Sequence, residues 1–207
     1  MKQLLLSIIV FICSTALAQF NPEAKKYLDQ VAAHIDAEEG LSIAFEVKVN
    51  HPEEPEDISH SYGTLLIKGH LYKLSMNGTE TYGDGVDQWT YLTEEREVSI
   101  QALEEGEITP ASIFTIYQKG YRFRIIDEDE KNVIVELSPE NHDASDYIRV
   151  TLYINKEKAQ IDAFSAQSKS GHITHVKLTS WENKNITNDV LIFDEKAHPE
   201  VDVIDLR

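Results

Sequence analysis

The residue types most often used in metal binding and catalysis are plentiful in this chain, which contains 36 acidic residues and 8 histidines. His172 and His175 lie three positions apart in an alternating, strand-like run. Their side chains should therefore point to opposite faces and cannot share one ion. Four other histidines lie in or beside predicted loops, namely His51, His60, His142 and His198. The sequence therefore predicts neither a metal site nor a bound cofactor.

Pairs of carboxylates could indicate a glycosidase, which places two acids on either side of the scissile bond. One such pair is Asp84 and Asp87, but Asp84 precedes Gly85 in a dipeptide that is typical of hairpin turns. In so acidic a chain, pairs also arise by chance. The sequence has no Gly-x-Ser-x-Gly elbow, phosphate loop, dinucleotide fingerprint or His-Glu-x-x-His motif. We therefore predict that the protein is not an enzyme.

Aromatic side chains offer a different chemistry, which is the burial of apolar groups. Trp89 and Tyr91 alternate along one predicted strand, and Phe114 and Tyr117 lie on a short helix that is apolar nearly all round. Such side chains more often fill a core than contact a ligand. In a curled sheet, however, the core and a ligand cavity are formed by the same surface. The formal net charge of -17 disfavours nucleic acid and anionic membranes as partners.

Residues 1–18 have the features of a cleavable signal peptide. A positive start is followed by an apolar run that is too short to cross a bilayer, which needs about 20 residues. Ala16 and Ala18 then form a small-x-small cleavage site. We predict export to the periplasm, cleavage after Ala18 and a mature single domain over residues 19–207. Cys13 lies inside the signal peptide, so the predicted mature chain has no cysteine.

The predicted mature chain begins with a helix. Asn21 is a good N-cap, Pro22 suits the first helical position, and Gly40 is typical of the residue that follows a helix. Apolar residues between them recur every three or four positions and form one stripe. A second, short helix is predicted to begin at Pro110 after the capping residue Thr109.

Most of the remaining chain alternates between apolar and polar residues, which predicts half-buried strands joined by tight turns. Short consecutive strands of this kind form an antiparallel sheet, and this many strands should curl towards a barrel. The helices could either fill the inside of that sheet or cover a cavity, and the pattern leaves both open. The predicted strands cover residues 41–50, 61–68, 71–76, 80–82, 88–92, 97–101, 121–126, 132–137, 147–155, 160–168, 172–181 and 190–193.

Several short segments, in this order and spacing, resemble the LolA family of periplasmic outer-membrane lipoprotein carriers, in its Bacteroidetes-type branch. No single segment is diagnostic, but the likeness covers essentially the whole predicted mature chain. The segments are GTLLIKG at residues 63–69, LYKL at 71–74, GDG at 83–85, WTY at 89–91, SIFTIYQKG at 112–120 and VDVIDLR at 201–207.

The resemblance implies a mainly β, α+β fold, an open antiparallel barrel of about eleven strands with two or three helices as a lid. It implies a monomer that takes acylated lipoproteins from an inner-membrane ABC-type releasing complex, holds their acyl chains in an apolar cavity and delivers them to an outer-membrane acceptor. Candidate lipid-binding residues are Phe45, Val47, Leu65, Ile67, Leu74, Trp89, Tyr91, Ile113, Phe114, Tyr117, Phe123, Val150 and Leu152.

Two alternatives share this fold, a lipid-sensing periplasmic regulator and a carrier of another lipid or glycolipid. One feature departs from the family pattern. Better-known carriers have an Arg-Pro pair after the lysine of the second strand, and that arginine helps to gate the lid. Here Lys68 is followed by Gly69 and His70. Lys68 or Lys73 is a candidate substitute.

Overall fold

The computed structural model describes residues 21–36, 39–53, 58–104, 107–143 and 145–207. The predicted signal peptide and its cleavage site lie outside these residues. Within them, the chain forms one helix of the α type, four short 3-10 helices and one sheet of twelve strands. The fold is therefore mainly β, as predicted, although its helices differ from those expected.

The helix α1 (Pro22–Asp36) begins where the sequence predicts. The side chain of Asn21 accepts hydrogen bonds from the backbone N–H groups of Glu23 and Ala24, at 2.9 and 3.1 Å. These bonds satisfy donors that the first turn of a helix otherwise leaves unpaired. The predicted apolar stripe is buried except for Tyr27, which is partly buried against the core. Its buried members are Ala24, Leu28, Val31, Ala32 and Ile35.

The strands follow one another along the sheet in nearly sequential order, as tight turns require. The spatial order is β12-β6-β5-β4-β3-β2-β1-β11-β10-β9-β8-β7, so the two ends of the sheet do not pair and the sheet is not closed. The strands are β1 (Leu41–Asn50), β2 (Ile58–Lys68), β3 (Leu71–Met76), β4 (Thr79–Gly83), β5 (Asp87–Leu92), β6 (Glu97–Ala102), β7 (Tyr121–Glu128), β8 (Asn132–Pro139), β9 (Tyr147–Asn155), β10 (Gln160–Ser168), β11 (Ile173–Asn183) and β12 (Asp202–Asp205).

The C-terminal segment (residues 184–207) differs from the prediction. The strand expected at 190–193 is absent from it, and Asn188–Leu191 forms a 3-10 helix instead. The alternation that predicts a strand here comes from Leu191 and Phe193, and both side chains pack in apolar clusters on the sheet's surface while the segment stays outside the sheet. The segment continues to the far end of the sheet, where β12 pairs in parallel with β6 rather than antiparallel.

The connection between β6 and β7 crosses the sheet, because these strands lie near opposite ends of it. The predicted short helix in this connection is two 3-10 turns, Ser112–Phe114 and Ile116–Gln118. The predicted cap does act here, since Thr109 Oγ1 accepts from the N–H of Ser112 while Ser112 Oγ accepts from the N–H of Thr109. We refer to residues 112–118 as the 3-10 segment.

The two faces of the sheet are covered by different parts of the chain. On the inner face, α1 and the 3-10 segment join the main apolar core with buried residues of eight strands, from β1 to β3 and from β7 to β11. On the outer face, the C-terminal segment adds two smaller clusters. Leu191 packs with Leu66 and Leu71, and Phe193 packs with Tyr82 and Val98.

Two glycines in the sheet make room for aromatic rings of the core. A Cβ atom at Gly63 would overlap the ring of Phe45, and one at Gly83 would overlap the ring of Tyr72. Gly63 lies directly opposite Phe45, and Gly83 opposite Tyr72. In each pair the ring therefore lies over the glycine of the neighbouring strand, which only a residue without a side chain allows.

Candidate functional site

The structure brings all but two of the predicted lipid-binding residues together on the inner face. Val47 and Leu74 are partly buried against the main core. The buried members are Phe45, Leu65, Ile67, Ile113, Phe114, Tyr117, Phe123, Val150 and Leu152. Sequence reasoning did not select Tyr72, Val135 and Ile154, which are as deeply buried in the same core. The available signal was their spacing, since each lies two positions along its strand from another residue of the same core, as Tyr72 does from Leu74.

Trp89 and Tyr91 are the two exceptions, and their predicted place on the common lining is wrong. Both pack on the outer face against the cluster that contains Phe193, and the rings of Tyr91 and Phe193 lie 5.5 Å apart. The strand β5 was predicted correctly, but its aromatic side faces the C-terminal segment. The C-terminal segment buries apolar side chains on the outer face as well. An aromatic side of β5 could therefore belong to either face, and the sequence pattern alone does not tell which.

We call α1 and the 3-10 segment together the cover. The cover contacts the sheet mainly through apolar side chains, with aromatic contacts in edge-to-face geometry. The ring of Phe114 meets Trp181 of β11 at a centroid distance of 5.6 Å, and the ring of Tyr117 meets Phe123 of β7 at 6.0 Å. Side chains of the cover thus occupy the inside of the sheet. The alternative left open by the sequence is settled for this conformation, because the interior is packed.

Polar contacts hold the two parts of the cover to each other and to one edge of the sheet. The hydroxyl of Tyr117 donates to Asp29 Oδ1 at 2.8 Å, and Lys25 Nζ donates to the same carboxylate at 2.7 Å. Lys25 lowers the pKa of Asp29 most, and the Tyr117 hydroxyl lowers it further against the opposing effect of burial. On β7, Glu128 accepts from the hydroxyl of Tyr27 at 2.9 Å.

The backbone contributes one bond between α1 and the sheet among the described residues, from the N–H of Asn21 to the carbonyl of Phe123, at 3.4 Å. Each strand, in contrast, is joined to its neighbours in the sheet by pairs of residues in register. The contacts of the cover with the sheet therefore lie almost entirely outside the hydrogen-bonded ladder.

A surface cavity of about 700 Å³ lies beside the 3-10 segment, where the turns between β2 and β3 and between β4 and β5 approach it. Its lining is mixed, with acids, amides and hydroxyls beside apolar groups. At its side, the phenol of Tyr72 donates to Gln88 Oε1 at 2.8 Å, and burial raises the pKa of Tyr72. The lining residues are Gly69, His70, Gly85, Leu103, Glu104, Glu107, Thr109, Ala111, Ser112, Thr115, Ile116, Gln118, Lys119 and Tyr121.

Neither lysine suggested as a substitute for the gating arginine contacts the cover. Lys68 Nζ donates to the backbone carbonyl of Ile186 in the C-terminal segment at 2.7 Å. Lys73 pairs with Glu80 at 2.8 Å and lies over the ring of Tyr82. Both lysines thus belong to the outer face, because their positions alternate with the inward-facing residues of β2 and β3.

Among the residues that the structure describes, no three histidines, cysteines or acids converge as metal ligands. His175 lies on β11, whereas His172 precedes that strand. The same residues include no helix long and apolar enough to cross a membrane.

Comparisons with known proteins agree with the fold. Similar solved structures include an uncharacterized conserved protein from Thermus thermophilus, with TM-score 0.56, 13% identity and coverage of 88% of this chain and 99% of that one. A DUF1329 family protein from Desulfovibrio piger has TM-score 0.52 and 12% identity, covering 84% of this chain and 98% of that one. A LolA superfamily protein from Nitrosomonas europaea has TM-score 0.51 and 10% identity, covering 83% and 98%.

At these identities the solved structures show the fold alone. A search of curated proteins finds no match. The family model described as "Outer membrane lipoprotein carrier protein LolA" matches residues 14–161, which is well over half of the chain. The Bacteroidetes-type branch suggested by the resemblance stays a prediction. The chain belongs to the LolA family of outer membrane lipoprotein carrier proteins.

Proposed function

We propose that the mature protein is a periplasmic carrier that binds the acyl chains of lipoproteins between the cover and the inner face of the sheet. It would take them from an inner-membrane ABC-type releasing complex and deliver them to an outer-membrane acceptor. Membership of the family supports the class of cargo. The observation that carries the proposal is that the cover closes the inner face through apolar side chains while remaining outside the sheet's hydrogen-bonded ladder.

The packed interior fits a carrier only if cargo can replace the cover's side chains. Three large apolar residues of α1 are buried, Leu28, Val31 and Ile35. Their burial stabilises the closed form by roughly 1.5–3 kcal/mol each. A single long acyl chain gains ~10 kcal/mol by leaving water, at ~0.8 kcal/mol for each CH₂ group. The combined burial of these three side chains is similar in size to the gain from burying one acyl chain. Replacing the side chains by cargo would therefore leave a moderate net affinity and allow release.

A substitution in the cover tests this exchange. Phe114 is 3% exposed and touches Trp181 across the inner face. In Phe114→Glu a buried carboxylate should favour water and weaken both the closed form and the apolar binding surface. We expect the variant to fold but to take no lipoprotein from membranes. Tyr62→Glu is the matched control, because Tyr62 is a 66% exposed aromatic residue of β2.

The readout is the amount of a lipoprotein that moves from inner-membrane vesicles into solution with the carrier. Circular dichroism establishes that each variant is folded. Normal transfer by Phe114→Glu would contradict the role of the cover. Mass spectrometry of lipid that co-purifies with the wild-type protein identifies the cargo independently of any variant. Acylated protein supports the proposal, whereas a glycolipid or free phospholipid alone would favour a carrier of another lipid or a lipid sensor.

A further inference from the structure

The outer face of the sheet between β1 and β9 carries one continuous row of aligned side chains. Glu46 of β1 is paired with Lys177 of β11. Lys177 is paired with Ala163 of β10, and Ala163 with Tyr153 of β9. Directly opposed residues of neighbouring strands lie on the same face. This row therefore lies opposite the main core, on the surface that the C-terminal clusters leave uncovered.

A recessed carboxylate lies at one end of this surface and holds two projecting basic groups. Glu46 Oε1 lies 2.9 Å from Lys48 Nζ and 2.8 Å from His60 Nε2. The side chain of Glu46 is 19% exposed, whereas that of Lys48 is 50% exposed. Lys48 is the main cause of the lowered pKa of Glu46. The carboxylate therefore remains charged below the basic groups, which face the solvent.

The same arrangement recurs at the other end of the surface. Glu136 of β8 lies 2.7 Å from Arg124 of β7 and 3.4 Å from Arg149 of β9. Glu136 is 12% exposed, while the arginine side chains are 65% and 49% exposed. Arg149 also donates to Gln167 Oε1 of β10 at 2.6 Å. The guanidinium groups are thus held in place by acceptors from neighbouring strands and still present donors outwards.

Two further cations on this face have no acidic partner within the described part of the chain. Arg122 and Lys177 are both exposed and make no ion pair there. Lys177 borders an open groove of about 420 Å³ between the two clusters. We call Lys48, Arg122, Arg124, Arg149 and Lys177 the cationic face. The groove is lined by Glu46, Lys48, Tyr153, Asp162, Ala163, Phe164, His175, Val176 and Lys177.

This clustering of cations contrasts with the rest of the molecule, whose formal net charge is -17. Asp162 is the exposed carboxylate of the groove lining, and it accepts a 3.4 Å hydrogen bond from the amide of Asn155. Other acids lie at the border of the face, such as Asp127 near the end of β7 and Asp129 in the turn that follows it. A broad anionic surface would face these border acids as well as the cations, and the like charges would repel it.

We propose that the cationic face is a docking surface for an extended acidic segment of a protein partner. A narrow acidic chain can lie along the groove and contact the cations while few of the border acids face it, which favours it over a planar anionic membrane. The five cations supply charge-assisted donors for carboxylates, and Tyr153, which is 39% exposed, supplies apolar contact beside them. The face lies on the opposite side of the sheet from the cover, so a partner could dock there without blocking the proposed cargo site.

The test measures binding of a fluorescently labelled polyglutamate peptide to the mature protein by anisotropy. We expect saturable binding that weakens as the ionic strength rises from about 0.05 to about 0.3 M. Lys177→Gln and Arg122→Gln should each weaken binding by roughly two- to fivefold, because each removes one exposed charge contact. Lys158→Gln is the matched control, since Lys158 is an exposed lysine of the turn between β9 and β10, and it should leave binding unchanged.

Three outcomes would overturn the proposal. The first is that polyglutamate binds no better than polyglutamine at low ionic strength. The second is that Lys177→Gln and Arg122→Gln bind polyglutamate as the control does. The third is that phosphatidylglycerol vesicles bind more tightly than the peptide and lose that binding in the same variants, which would assign the face to a membrane. None of these readouts depends on lipoprotein transfer.

Discussion

The phenol of Tyr117, in the 3-10 segment, donates a 2.8 Å hydrogen bond to the carboxylate of Asp29 on α1. The bond joins two parts of the cover that are far apart in sequence. The gating arginine of better-known family members has no counterpart after Lys68, and the two candidate substitutes, Lys68 and Lys73, lie on the outer face. In this chain the polar link therefore lies within the cover itself, between a tyrosine and an aspartate.

Removing this bond should loosen the cover while the apolar packing remains. Tyr117→Phe keeps the ring that contacts Phe123 but removes the donor to Asp29. Since the acceptor is charged, we expect the free energy of unfolding to fall by about 1.5–3 kcal/mol. An apolar fluorescent dye should bind more tightly because the inner face opens more often. Tyr153→Phe on the outer face is the control, and equal dye binding by both variants would argue against the link.

The hydrogen bond from Tyr117 to Asp29 should weaken at low pH, because its acceptor is a charged carboxylate. Its pKa lies below the ordinary value of 3.8, chiefly because of Lys25 and also because of Tyr117. A carboxylate with a depressed folded pKa contributes stability above its unfolded pKa and loses it as the pH falls through the folded pKa. Dye binding should therefore rise below about pH 4. Asp29→Asn should bind more dye at neutral pH and show a smaller change on acidification.

Two parts of the fold show why sequence patterns succeed in one place and fail in another. The bounds of β9 agree with the prediction because Val150, Leu152 and Ile154 all face one core, whereas Arg149 and Tyr153 on the opposite face are exposed. In β5 both faces are partly covered, so the alternation of Trp89 and Tyr91 identifies a strand but not its inner side. An alternating pattern indicates that one side of a strand is buried. On the outer face, that burial depends on the C-terminal segment, which is distant in sequence from β5.

The remaining differences also come from contacts that a local pattern does not encode. The strand β12 consists of exposed residues, and its parallel pairing with β6 depends on backbone bonds across the sheet. The 3-10 segment is apolar enough for a helix, but its backbone N–H groups bond to carbonyls three residues back, as from Thr115 to Ser112 and from Gln118 to Thr115. Most residues of the inner face could be predicted from the sequence, because they are apolar and recur at every second position of a strand.

The close contact between Gly63 and the ring of Phe45 predicts that a side chain at position 63 destabilises the sheet. A methyl group at position 63 would overlap the ring of Phe45, so Gly63→Ala should lower the free energy of unfolding by about 1–3 kcal/mol through overpacking. The double variant Gly63→Ala, Phe45→Leu should recover part of this loss, because leucine leaves space for the methyl group. Urea unfolding measures both, and additive losses in the double variant would contradict the contact.

The outer-face clusters predict that the C-terminal segment stabilises the sheet through a few buried residues. Leu191 is 1% exposed and packs with Leu71 and Ile186, whereas its neighbour Val190 is 44% exposed. Leu191→Ala should therefore lower the free energy of unfolding by about 2–5 kcal/mol. Val190→Ala should change it by less than about 0.5 kcal/mol. Urea unfolding of the two variants compares adjacent positions in the same segment. Similar losses from both would mean that this segment does not pack on the outer face, and the assignment of Trp89 and Tyr91 to that face would fail with it.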